Sequence, residues 1–232
     1  MLSDLHYYMN ADDRLQNDMN IFVRDAMPGE WRGCAHELRD AAELVWEDRG
    51  NHLRCEVSQR LEIVKGEPKR RTESRKVYSA SRPYILLAGF ALENIMKGYL
   101  VACDPSFISD GKLRDDLKTH ELTNLAVRID GIALSENEVR FCKVAESAIP
   151  YWGRYPVPLA YNRGVPDVGI DDDLRAGFLS LFDRLDEMLY RKIRDGWDSG
   201  VGAKSGMMYD ARYDSEDRLE AVKQQRLNGE YE

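Results

Sequence analysis

The chain has 232 residues and a mass of 26.7 kDa; 43% of its residues are hydrophobic and 32% are charged, a balance that excludes wholesale disorder. Thirty-three Lys and Arg stand against 41 Asp and Glu, a net charge of −8, so any nucleic-acid contact must use a local patch. The N-terminus, MLSDLHYYMNADD, is acidic where a secretory leader is basic and then apolar, and no two of Cys34, Cys55, Cys103 and Cys142 share a CxxC spacing. These features predict a cytoplasmic protein with four reduced, mostly buried thiols.

Residues 1–28 are rich in Asp and Asn and read as an extended arm or short elements. The first clear helix follows Pro28, with Trp31, Cys34, Leu38, Ala41, Ala42 and Val45 at helical spacing and Gly50 closing the run. Residues 52–64 alternate Leu53, Cys55 and Val57, then carry Leu61, Ile63 and Val64, which fits a small hairpin or a helix extension. The next stretch, KGEPKRRTESRK over 65–76, holds six basic and two acidic side chains and a proline, the composition of a linker.

The segment 84–102, YILLAGFALENIMKGYLVA, is nearly apolar. A membrane span is rejected because Glu93, Asn94 and Lys97 sit in its middle; the alternative is a central helix apolar on all sides because neighbours surround it. On a helix Glu93 and Lys97 lie about 40° apart and Asn94 about 100° from Glu93. They share their sector with Leu86, Phe90 and Leu100, so polar heads emerge from an apolar wall. Either Glu93 and Lys97 satisfy each other at a bundle edge, or they belong to a polar site on a core helix.

Three more helices follow. Thr119 is placed to cap a helix carrying Leu122, Leu125, Ala126 and Ile129 and ended by Gly131, with His120 in its first turn. Ser135 and Glu138 form a capping-box pattern before Val139, Cys142, Ala145 and Ile149, and Pro150 stops that helix. A last strong helix starts at Asp171–Asp173 and runs through Leu174, Phe178, Leu181, Phe182, Leu185 and Leu189 to Arg191, Lys192 and Arg194. Between the last two lies PYWGRYPVPLAYNRGVPDVG, an aromatic, proline-rich loop that either clamps the bundle end or offers Arg154 and Tyr155 to an anion or partner. After residue 196 the chain is rich in Gly and Asp, and Ser215–Asn228 has a charged helical pattern. HExxH, GxSxG, GxGxxG and a phosphate-binding loop are all missing, and GAKSG at 202–206 lacks the required spacing. No cofactor and no metal site is expected.

The string GFALENIMKGYLVA, then KTHELTNLA, then a helix ending in PYWGRYPVP, resembles prokaryotic HEPN-type helical domains over residues 29–195. The resemblance implies an all-α, up-down helical bundle, commonly a homodimer, associated with RNA cleavage, toxin–antitoxin pairs and antiphage defence. The expected organisation is an arm over 1–28, a bundle over 29–195 with a possible small hairpin, and an extended tail over 196–232 with a short helix. Active members of the family carry an Arg and, a few residues on, a His at the start of a late helix. Here no His follows His120, and the spacing is matched only by Arg114 and His120 in RDDLKTH, ahead of the expected place.

Three readings follow. The first is a non-catalytic module that binds RNA, a nucleotide or a protein partner through Glu93, Asn94, Lys97, His120, Arg154 and Tyr155. The second is a metal-independent ribonuclease using Arg114 and His120 or a displaced equivalent, in which His moves protons and Arg steadies a phosphate. The third is a purely structural helical subunit. In an up-down bundle His120 and Arg154 fall at one mouth, where an Arg beside a helix start makes an anion site.

Overall fold

A computed structural model describes residues 11–64, 67–78, 80–154 and 169–228. It is mostly helical, with two antiparallel hairpins. Helix α1 spans Ala11–Asp25 and α2 spans Pro28–Glu47. Strands β1 (Leu53–Val64) and β2 (Glu67–Tyr78) form the first hairpin, and α3 covers Ser81–Cys103. Helices α4 (Leu122–Val127), α5 (Glu136–Ser147) and α6 (Asp172–Ile193) follow. Strands β3 (Asp195–Asp198) and β4 (Lys204–Met207) make the second hairpin, and α7 (Glu216–Leu227) closes the described chain.

The core forms around α3. Tyr84, Ile85, Ala88, Leu92, Ile95 and Met96 are fully buried, and α2, α5 and α6 all pack on this helix. Small residues permit the approach: a Cβ on Gly98 would lie 2.8 Å from the Trp31 side chain, and one on Gly89 3.0 Å from Ala145. Trp31 against Gly98 and Trp46 against Tyr84 make α2 antiparallel to α3. Tyr84 against Phe178 and Gly98 against Leu189 make α3 parallel to α6. Helix α3 is the one described helix long and apolar enough to cross a bilayer, but its apolar surface is covered by its neighbours.

Local sequence rules explain the helix starts. Pro28 sits at the first position of α2 after an extended Met27. Ser135 and Glu138 make the capping box, with the Ser135 N–H donating to Glu138 Oε2 at 2.7 Å. The same carboxylate accepts from Ser180 and Arg184, so the cap also ties α5 to α6. Asp171 caps α6 by accepting the Leu174 N–H at 2.7 Å.

Several expectations are corrected. Residues 67–76 are not linker: they belong to β2, paired in register with β1 from Leu53↔Tyr78 to Val64↔Glu67. Every described side chain of this ribbon is exposed, so neither face needed the apolar alternation that marks a strand. The described part of the N-terminal arm is the helix α1. The chain does not stop its helix at Pro150; α5 runs on into a π-helical turn over Ala148–Trp152. The segment after 196 is not an extended tail, because Trp197, Ala203 and Val222 are buried and the Trp197 indole N–H donates to Ala102 O. Three of the four thiols, Cys34, Cys55 and Cys103, are exposed; Cys142 is buried, and burial, with Glu146 and Glu138 nearby, pushes it up to about 12.

The tightest helix contact lies at Gly177, where an added Cβ would stand 2.6 Å from Asn137 O and 2.7 Å from its carbonyl carbon. Backbone cannot swing aside as a side chain can. Gly177→Ala is expected to cost about 1–3 kcal/mol and lower the melting temperature by several degrees, read by circular dichroism.

Candidate functional site

The polar residues in the middle of α3 gather partners from other elements. Lys97 Nζ donates to Glu93 Oε1 at 2.7 Å, and both side chains are buried. His120, in the connection before α4, brings its Nδ1 N–H to Glu93 Oε2 at 2.8 Å. The Glu121 N–H donates to Thr119 Oγ1 at 3.1 Å, which holds the turn that presents the imidazole. The His120 side chain remains 46% exposed. A buried ion pair thus holds one ring nitrogen of a solvent-facing imidazole and leaves Nε2 for outside chemistry.

Phe90, one turn before Glu93 on α3, joins the remaining members. Its ring centroid lies 6.4 Å from that of His120, edge to face, and the Arg154 guanidinium carbon is 5.5 Å from it. Arg154 follows the π turn after α5 and is exposed. His120 and Arg154 therefore meet on one aromatic ring, at the same end of the helices. Arg154 does not pair with Glu93, whose oxygens are taken by Lys97 and His120.

The other sequence candidates lie apart. The Asn94 amide donates back to Phe90 O at 2.7 Å, within its own helix. Arg114 binds Asp116 and Ser106 and stacks on Phe107 at 4.2 Å; none of its contacts is His120. Tyr155 lies outside the described residues. The helix expected to start at Thr119 begins at Leu122, behind Glu121, and has six residues. His120 therefore precedes the helix, and the anion site expected from a helix start beside Arg154 does not form; the cations themselves would have to supply it.

A second polar node was not anticipated. Asp186 on α6 has no exposed side-chain surface. It accepts from Arg32 Nε at 2.6 Å and Nη2 at 3.0 Å, from His36 Nε2 at 2.8 Å and from Tyr213 Oη at 3.0 Å, and it pairs with Arg212 at 3.1 Å. Arg32 also reaches Asp210 at 2.5 Å, and Asp210 accepts from Arg212. Burial alone would raise the Asp186 carboxyl, but hydrogen bonds from His36 and Arg32 and their charge outweigh it and hold it well below the usual carboxylate range. The Arg212 hydrogen bond lowers Asp210 likewise, against partial burial. The sequence did hold a signal: Asp186 stands beside Leu185 and in register with Phe182 and Leu189, on the buried stripe of its helix.

The two nodes differ in access. Arg32 and Asp186 close on each other under the chain that follows β4, whereas the Glu93 node opens through His120 and Arg154. No protein-family model, curated protein or solved structure matches this chain. Function is therefore to be read from the chemistry of these side chains.

Asp186 and Asp210 are depressed in the folded state relative to about 3.9 in an unfolded chain. Their contribution to stability is present above that value and is lost as pH falls from it through their lower folded-state pKa values. The melting temperature is expected to fall progressively from about pH 5 toward pH 2. Asp186→Asn should start lower at neutral pH, because it weakens the partners of buried Arg32, and should show a shallower acid limb.

Proposed function

We propose that this chain is a HEPN-like RNA-binding module that holds a single-stranded segment on the Phe90–His120–Arg154 surface, without the usual Arg–His catalytic motif of the family. The observation that carries the reading is the convergence of an exposed Arg and a half-exposed His on one aromatic ring, above a buried Glu–Lys pair. Single-stranded RNA is recognised by stacking of unpaired bases on aromatic and guanidinium planes and by cations on the phosphates. Arg154 offers both a planar face and a charge; the Glu93–Lys97 pair keeps His120 in place. The resemblance carried by GFALENIMKGYLVA, KTHELTNLA and PYWGRYPVP supports the module type. A homodimer or protein partner, and a place in a bacterial conflict or antiphage system, belong to the same proposal and rest on that resemblance.

A second reading, metal-independent ribonuclease, is favoured by one observation. The Glu93–His120 contact is a carboxylate–imidazole dyad with one ring nitrogen free toward solvent, the arrangement that orients a general base. In that reading His120 takes the 2′-hydroxyl proton as O2′ bonds to phosphorus, the P–O5′ bond breaks and the 5′-oxygen takes a proton from water, and Arg154, in place of Arg114, steadies the phosphate.

Fluorescence anisotropy with a labelled single-stranded RNA in EDTA tests both. Loss of a charge-assisted contact predicts that Arg154→Ala weakens binding about tenfold or more, with the melting temperature unchanged because the side chain is exposed. Cleavage that persists in EDTA and disappears in His120→Ala establishes the second reading. Wild-type protein that neither binds nor cleaves RNA overturns both.

A further inference from the structure

The β1–β2 ribbon lies outside the site described so far. Its strands of 12 residues each span about 40 Å at the rise of an antiparallel strand. Residues 53–78 carry eight basic and four acidic side chains, a local +4 in a chain of net −8. Several body arginines are committed, and the ribbon adds a cluster that is not. Arg32, Arg140, Arg175, Arg184, Arg191 and Arg212 are all engaged by carboxylates. On the ribbon, Arg60, Lys69 and Arg70 have no hydrogen-bond or ion-pair partner among the described residues. The nearby acids Glu62 and Glu73 are both held by Arg71.

The pairing register sorts the faces. Val57/Ser74, Gln59/Thr72, Leu61/Arg70 and Ile63/Pro68 share one face, which holds no acid among these pairs. Arg60/Arg71 and Glu62/Lys69 share the other. On the acid-free face Val57, Leu61 and Ile63 are 62%, 67% and 78% exposed, and Ile63 and Pro68 pair next to the tip.

We propose that this ribbon is a DNA-binding arm, whose uncommitted Arg60, Lys69 and Arg70 seat it in the major groove of a B-form duplex. A two-stranded ribbon fits a major groove about 12 Å wide, whereas the A-form major groove is too narrow and deep for side chains to read. Arg70 stands on the acid-free face; Arg60 on β1 and Lys69 on β2 stand on the other, one on each strand, and their long side chains pass round the ribbon edges to the phosphates on the two sides of the groove. The acid-free face lays Leu61 and Ile63 against base edges and thymine methyl groups, and nothing on it repels the duplex. An acidic body behind a basic arm limits contact to the arm, so the footprint is short and the affinity strongly dependent on salt.

The experiment is anisotropy titration of a mixed-sequence DNA duplex of about twenty base pairs by the full chain, at salt from about 50 to 200 mM. The comparison is the triple variant Arg60→Gln/Lys69→Gln/Arg70→Gln. Its side chains lie on an exposed ribbon away from the core, and an unchanged melting temperature checks the fold. Wild-type affinity is expected to fall roughly fortyfold more than that of the variant over this range, the slope of three phosphate contacts. The variant keeps wild-type affinity for single-stranded RNA, which separates this arm from the Phe90 surface. The proposal is overturned if wild type does not bind the duplex or if variant and wild type share one salt slope. It is equally overturned if an A-form RNA duplex of the same sequence binds as well, or if light scattering shows that the substitutions dissociate a dimer, which would make the arm's partner a protein.

Discussion

A carboxylate with no exposed surface must be surrounded by donors, and Asp186 obtains them from two separate parts of the chain. Arg32 and His36 arrive from α2, one turn apart on the same helix face; Arg212 and Tyr213 arrive from the chain that follows β4. The segment after α6 therefore cannot be a free tail: leaving would strip two donors from a buried charge. Further bonds fix the same segment, since Tyr190 Oη donates to Met208 O at 3.1 Å and Asp214 meets Tyr190, Arg194 and Arg218. One charge placed in the buried stripe of α6 thus sets the position of α2 and the path of the chain beyond α6.

That dependence explains what was legible in the sequence. Helices α3, α5 and α6 announce themselves because each buries a stripe or a whole surface, and α5 and α6 also carry a local start signal, the Ser135–Glu138 box and Asp171. Strand β2 does not, because a ribbon exposed on both faces writes no hydrophobic period and its Arg and Lys look like linker. Helix α1 hides for a related reason: its Asp- and Asn-rich sequence buries little beyond Val23. Pro150 misleads because a π turn carries the chain through it. The order along the chain is local information; the return of residues 208–214 to Asp186 is not.

The sites show the same division. Glu93 and Lys97 are readable as a pair from their spacing of four on one helix. That His120 completes the group is decided by where the connection before α4 crosses α3, which depends on the packing of several elements. Asn94 shares the polar stretch but turns back to its own helix carbonyl, so neighbourhood in sequence did not mean membership in the cluster. Arg114 shows the converse: a spacing that matches a motif is met in the fold by Phe107, Asp116 and Ser106, all close to it along the chain.

Polar groups in this protein follow two designs, and accessibility separates them. At Asp186 the carboxylate and its Arg32 and His36 donors are mostly enclosed, with Arg212 reaching the surface, and the charges cancel within the fold, so the node contributes to stability and offers little to a ligand. At Glu93 the cancellation is deliberately incomplete at its outer edge. Lys97 satisfies one oxygen inside, while the other oxygen is given to a His whose ring reaches water beside Arg154. The cost of burying Glu93 is offset by Lys97, and the imidazole is left positioned rather than enclosed. On the proposed reading, a ligand at Phe90 would meet groups already in place, and little ordering would be required on binding. The β1–β2 ribbon extends this logic to the outside of the molecule: like Arg154, its Arg60, Lys69 and Arg70 are left without an ion-pair partner among the described residues, and the proposed DNA-binding role of the arm rests on that.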